Sequence, residues 1–180
     1  MVPIREDFQD YVAPRWLQRA IVRLLESLSS AHTHGLSAIV LTNSTRAMRR
    51  HSQRRSRRNR RGTPIGRYHP AYRGERAWVE LIVDRMVADV PKPLLQVPLV
   101  QDLVVGHVLY HELGHYLHET IGSEARGGEP SAEAWRRRLS KLHVRKRYWY
   151  LRPFARPMRA VLRTVSRIAS RRHRPSRVKS

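Results

Sequence analysis

The apolar positions of this chain change period along its length, and each period predicts an element. Trp16, Leu17, Ala20, Ile21, Leu24, Leu25 and Leu28 recur at three- and four-residue intervals. That spacing predicts a helix over residues 14–29, with Pro14 suited to its first turn. Residues 36–42 (Leu-Ser-Ala-Ile-Val-Leu-Thr) are apolar and β-branched, which predicts a strand. Residues 77–83 (Ala-Trp-Val-Glu-Leu-Ile-Val) predict a second strand, and Pro91, Pro93 and Pro98 then punctuate an extended link. Val100, Leu103, Val104, Val108 and Leu109 form an apolar stripe with no internal proline, so a long helix is expected from 99 to about 120. A loop over 122–128 and a second helix from about 130 to 143 follow.

Other stretches carry neither period. Residues 46–61 hold nine arginines and almost nothing apolar after Met48, which predicts a mobile basic loop. Residues 62–74 are turn-rich through Pro64, Gly66, Pro70 and Gly74. Residues 148–157 are aromatic and proline-broken, and 159–172 suit a basic amphipathic helix. The organisation expected is an N-terminal helix and strand of the domain in 1–45, an Arg-rich loop in 46–65, the core in 66–145, and a basic aromatic segment in 146–180.

Composition narrows the partners. With 36 Lys+Arg against 14 Asp+Glu the formal charge is +22. It is concentrated: net +11 over 46–76 and +17 over 134–180, around a segment of net −6 over 77–133. Such charge points to nucleic acid, an anionic membrane surface or an acidic protein as partners. The absence of cysteine excludes disulfides, thiolate zinc sites and a cysteine nucleophile. Glu6, Asp7 and Asp10 interrupt the N-terminus, so no signal peptide is expected, and 94–110 is too short and polar to span a bilayer. The expected location is cytoplasmic, with peripheral attachment to the inner membrane surface as a further expectation.

The candidate chemistry lies late in the long helix, at His111-Glu112-Leu113-Gly114-His115. Positions i and i+4 share a helix face about 6 Å apart along the axis. Two imidazoles there can converge on one zinc ion, and a carboxylate beside the first can act as general base. The expected activity is therefore that of a metallopeptidase, with Glu112 assisting attack of a zinc-bound water on a peptide carbonyl. A third ligand is needed, and Ile121 stands where the metzincin pattern would require a histidine. Glu119, Glu124, Glu129 and Glu133 are the candidates. Glu119 extends along the same helix, whereas Glu129 and Glu133 start the next helix on one face. His107 and His118 share the broad face of the zinc pair, and Tyr148, Tyr150 or His143 could steady an oxyanion. The strand around Trp78 could offer an edge to an extended substrate.

His111 to His115, together with Glu129-Pro-Ser-Ala-Glu133-Ala-Trp135, resembles the ImmA/IrrE-type minimal gluzincins. Gly66 to Pro70, Val79 to Asp84, His111 to His118 and Tyr148 to Pro153 also resemble a bacterial family of zincin-like proteins. The resemblance implies an α+β, minimal zincin-like domain: the zinc helix packed on a small sheet, a following helix, and a basic tail. It implies Glu129 as the third zinc ligand and Glu133 as its supporting residue. Two departures keep Glu133 as a rival ligand. A glutamate stands at 133 where those proteins have Asn or Asp, and Pro130 biases Glu129 away from helical geometry.

Overall fold

Two parallel strands, β2 (Ala38–Thr42) and β4 (Trp78–Ile82), form the middle of a four-stranded sheet. On one side β1 (Ile4–Asp7) pairs parallel with β2; on the other β3 (Gly66–His69) pairs antiparallel with β4, giving the order β1-β2-β4-β3. The structure, a computed structural model, describes residues 2–52, 64–121 and 128–151. Five helices complete an α+β architecture among those residues: α1 (Leu17–Glu26), α2 (Ser44–Ser52), α3 (Val83–Ala88), α4 (Pro98–Ile121) and α5 (Glu129–Arg147).

The period of two in the central strands sends Ile39, Leu41, Val79 and Leu81 into one core, where all four are fully buried. Against them lie Leu17, Ala20, Ile21 and Leu24 of α1 and Val105, Leu109 and Leu113 of α4. Gly106 permits the close approach of α1, since a Cβ there would lie 3.1 Å from Leu24 Cδ2. The buried Tyr110 hydroxyl donates to the Leu24 carbonyl at 3.0 Å. A buried polar network joins three helices. Arg23 of α1 pairs with Asp102 of α4 at 2.5 Å, and Asp102 lies 3.1 Å from His143 Nε2 of α5. The other ring nitrogen of His143 sits 2.5 Å from Ser27 Oγ. These bonds fix the direction in which α5 returns across α4.

Several expectations are corrected. The basic stretch 46–61 is not a loop from its start, because α2 covers Ser44–Ser52. Its N-terminus is held by Asp84, which accepts from the Ser44 backbone N–H at 2.9 Å and from the Ser44 hydroxyl, and Ala47 is buried. Arginine, alanine and methionine are also good helix formers. The turn-rich stretch 62–74 contains β3. Pro64 and Pro70 flank the strand, Gly66 opens it, and Gly74 (φ 87°) belongs to the turn that leads into β4. β1 is charged and exposed enough at Arg5 and Glu6 to have escaped any apolar pattern. Helix α1 is shorter than the expected 14–29, and α5 runs four residues past 143. Most of the loop at 122–128, the arginines at 54–61 and the amphipathic helix expected at 159–172 lie outside the described residues.

The chain divides into two compact units, Met1–His143 and Val144–Ser180. The first contains the sheet and nearly all of the helices. In the second, the end of α5 leads into a 3-10 turn over Trp149–Leu151, where the Trp149 and Tyr150 rings meet edge to face. No helix among the described residues is long and apolar enough to cross a membrane.

Candidate metal centre

Helix α4 supplies two imidazoles and α5 a carboxylate to one point. Ring centroids of His111 and His115 are 4.9 Å apart, with planes at 88°. Glu129, the first residue of α5, reaches back with one oxygen 3.1 Å from His111 Nε2 and the other 3.8 Å from His115 Nε2. One ligand atom from each residue lies within 4.8 Å of the other two. Ligands held 2.0–2.1 Å from a tetrahedral zinc lie about 3.4 Å from one another. Two imidazoles and a carboxylate are a zinc-binding donor set in chemistry, and the 3.1 and 3.8 Å separations of Glu129 from the rings lie near that spacing. His115 is held below the usual histidine pKa, first by burial and then by the neighbouring His111, which favours the neutral ligand form.

Gly114 is what lets α5 come this close. A Cβ at that position would lie 2.6 Å from the Ala132 carbonyl oxygen and 2.8 Å from its Cα. Ala132 is completely buried at this contact. Pro130 does not displace Glu129 from helical geometry, because it occupies the first turn, where its missing N–H is not needed.

Glu112 lines the same cleft as His111, His115 and Glu129 and is 8% exposed. Burial raises its pKa to about 7, and the Glu129 charge adds to the rise; the Tyr68 backbone N–H and Arg67 oppose it. Strand β3 roofs this carboxylate. A Cβ on Gly66 would fall 2.5 Å from Val108 Cγ1 and 2.9 Å from Glu112 Oε1, so only glycine leaves room. Gly66, Arg67 and Tyr68 line an open cleft of about 570 Å³ together with His107, His111, Glu112, His115 and Glu129.

The other candidates are distributed differently. Glu133 also lines the cleft, yet its carboxylate is engaged by Arg136 at 2.5 and 2.6 Å and by Arg137 at 2.8 Å. These cations hold its pKa down to about 2. Glu129, not Glu133, is the carboxylate brought to the histidine pair. The Tyr68 hydroxyl is held above the usual tyrosine pKa first by burial and then by Glu119, and Glu124 lies outside the described residues. His107 lines the cleft and His118 does not. His143 is 3% exposed and occupied by Ser27 and Asp102, so it is a packing residue and no oxyanion donor. The strand at Trp78 is interior to the sheet; the edge beside the cleft is β3. The sequence marks Gly66 as a turn residue and part of a resemblance but not as a wall of the site, and does not mark Arg136. The Glu133-x-x-Arg136-Arg137 spacing is a helical ion-pair signal that could have disclosed the second.

Compared with protein-family models, curated proteins and solved structures, the chain matches none. The resemblance to minimal gluzincins thus stands on the motif residues alone.

Proposed function

We propose that this protein is a zinc-dependent metallohydrolase of minimal zincin-like design that cleaves peptide bonds. The observation that carries the reading is the convergence of His111, His115 and Glu129 beside a buried Glu112 in one cleft. Zinc held by the three side chains would supply Lewis acidity toward a carbonyl and lower the pKa of water. Glu112 then accepts a proton from the attacking water and returns it to the leaving amine. Its raised pKa suits an acid–base group that must do both. Among the described residues β3 is the edge strand beside the cleft, where an extended peptide can add as a further strand.

A second reading, a nucleic-acid-binding protein with a structural or vestigial zinc site, draws on the basic run Arg136–Arg138 and Lys141 of α5. A structural site is closed by four protein ligands. Among the described residues three donors face an open cleft, which favours the hydrolase. The test is a mixed peptide substrate library read by mass spectrometry, with wild type and Glu112→Gln. Wild type should cleave, and the variant should keep its metal and lose about 10³-fold or more in turnover. Full activity in the variant would remove the general-base role. Absent cleavage, combined with nucleic-acid affinity that falls steeply with salt, would favour the second reading.

A further inference from the structure

His107 lies one helical turn before His111 on α4 and lines the same cleft. Its Nδ1 is 3.0 Å from Arg136 Nη1. A guanidinium only donates, so Nδ1 must carry the lone pair and the ring proton must sit on Nε2. Arg136 is itself held by two bonds to Glu133, at 2.5 and 2.6 Å, with Arg137 on the same carboxylate at 2.8 Å. The chain Glu133–Arg136–His107 thus fixes a tautomer, as a hydrogen bond to one ring nitrogen does at many histidine sites. Nε2 makes no hydrogen bond among the described residues. The cleft therefore holds a directed donor that no described residue within it uses.

We propose that His107 contacts substrate: a neutral imidazole whose Nε2–H donates to a carbonyl oxygen of the bound peptide, with Arg136 and Glu133 as its positioning residues. The nature of the partner rests on the peptidase reading above; the tautomer does not. Partial desolvation and the adjacent Arg136 cation both hold His107 below the usual histidine pKa. The arrangement gives Glu133, adjacent to the metal ligands but not among them, a role of its own.

The test uses the full chain labelled with ¹⁵N at histidine. Long-range ¹H–¹⁵N correlation assigns the His107 ring by its loss in His107→Leu. At neutral pH the wild-type signal should be that of the Nε2–H tautomer, moving toward a mixture in Arg136→Met and in Glu133→Gln. In peptide cleavage, His107→Leu should lower kcat/KM by about 10- to 100-fold at unchanged zinc content, while His107→Gln, which keeps an N–H donor, should recover part of the loss. A role in shape alone would leave Leu and Gln equal. A wild-type proton on Nδ1, undiminished kcat/KM in His107→Leu, or no advantage of Gln over Leu would each overturn the proposal. An inert wild-type protein would remove the peptidase reading and the substrate contact together, while the tautomer would still be decided by the spectra.

Discussion

Gly114 and the backbone of Ala132 lie in direct contact: a Cβ on Gly114 would meet the Ala132 carbonyl oxygen at 2.6 Å. The contact sets the spacing of α4 and α5, and with it the reach of Glu129 to the two imidazoles. Gly114→Ala tests it with an opposed expectation. Helix propensity alone would favour alanine by about 1 kcal/mol. The clash is with backbone, which cannot rotate away, so a net loss of about 1–3 kcal/mol is expected. Zinc affinity should fall by about 10-fold or more as Glu129 is pushed outward. Denaturant unfolding and competitive zinc titration read the two effects. A stabilised variant with unchanged affinity would show that the helices are not spaced by this residue.

Gly66 plays the corresponding part on the other wall of the cleft. Its Cβ would lie 2.5 Å from Val108 and 2.9 Å from a Glu112 oxygen. Gly66→Ala should move Glu112 while leaving the ligands in place. Zinc content should stay constant, and turnover should drop by about 10-fold or more. Loss of zinc from this variant would mean that β3 supports the ligands rather than the carboxylate.

These two glycines mark the limit of what the sequence makes legible. The α4 helix and its histidine pair can be read because the apolar stripe from Val100 to Leu109 leads directly into the i, i+4 spacing of His111 and His115. The helix that follows can be read in outline, from about 130 to 143, while its buried positions Ala132, Leu139 and His143 are seen only in the structure. β3 cannot, because Gly66 to His69 has no alternation and its flanks signal turns. Nor can the ligand choice be made from spacing, as Glu129 and Glu133 are one turn apart on one face. The structure shows what spacing does not: Arg136 and Arg137 engage Glu133, and Glu129 is the carboxylate beside the two imidazoles. The start of the arginine-rich stretch misleads, since the Asp84 cap of α2 lies forty positions from Ser44.

The buried network makes a stability prediction independent of any metal. Asp102 is 2% exposed and lies between Arg23 and His143. Asp102→Leu leaves the half-buried Arg23 without that carboxylate, which costs about 3–5 kcal/mol for a buried pair. A Tm fall on the order of 10 °C is expected by thermal denaturation. A fall of only a degree or two would mean that the network contributes little.

Metal binding should depend on pH with a definite sign. Ligand imidazoles bind in the neutral form, so protons compete with the ion and affinity falls as pH falls. The downward shift of His115 delays that competition: at His115 it sets in below the ordinary histidine range of about 6.5. Zinc affinity followed from pH 8 to 5 should stay nearly level at first and then decline. A rise in affinity toward acid pH would contradict neutral imidazole ligation.

The most direct test of the account is zinc X-ray absorption on the purified full chain, with metal content measured on wild type and on His111→Ala. The account predicts about one zinc per chain, bound by two imidazoles and by oxygen, with the metal lost from the variant. A wild-type protein without zinc after exposure to the ion, or a His111→Ala variant with undiminished metal and an unchanged absorption edge, would contradict it.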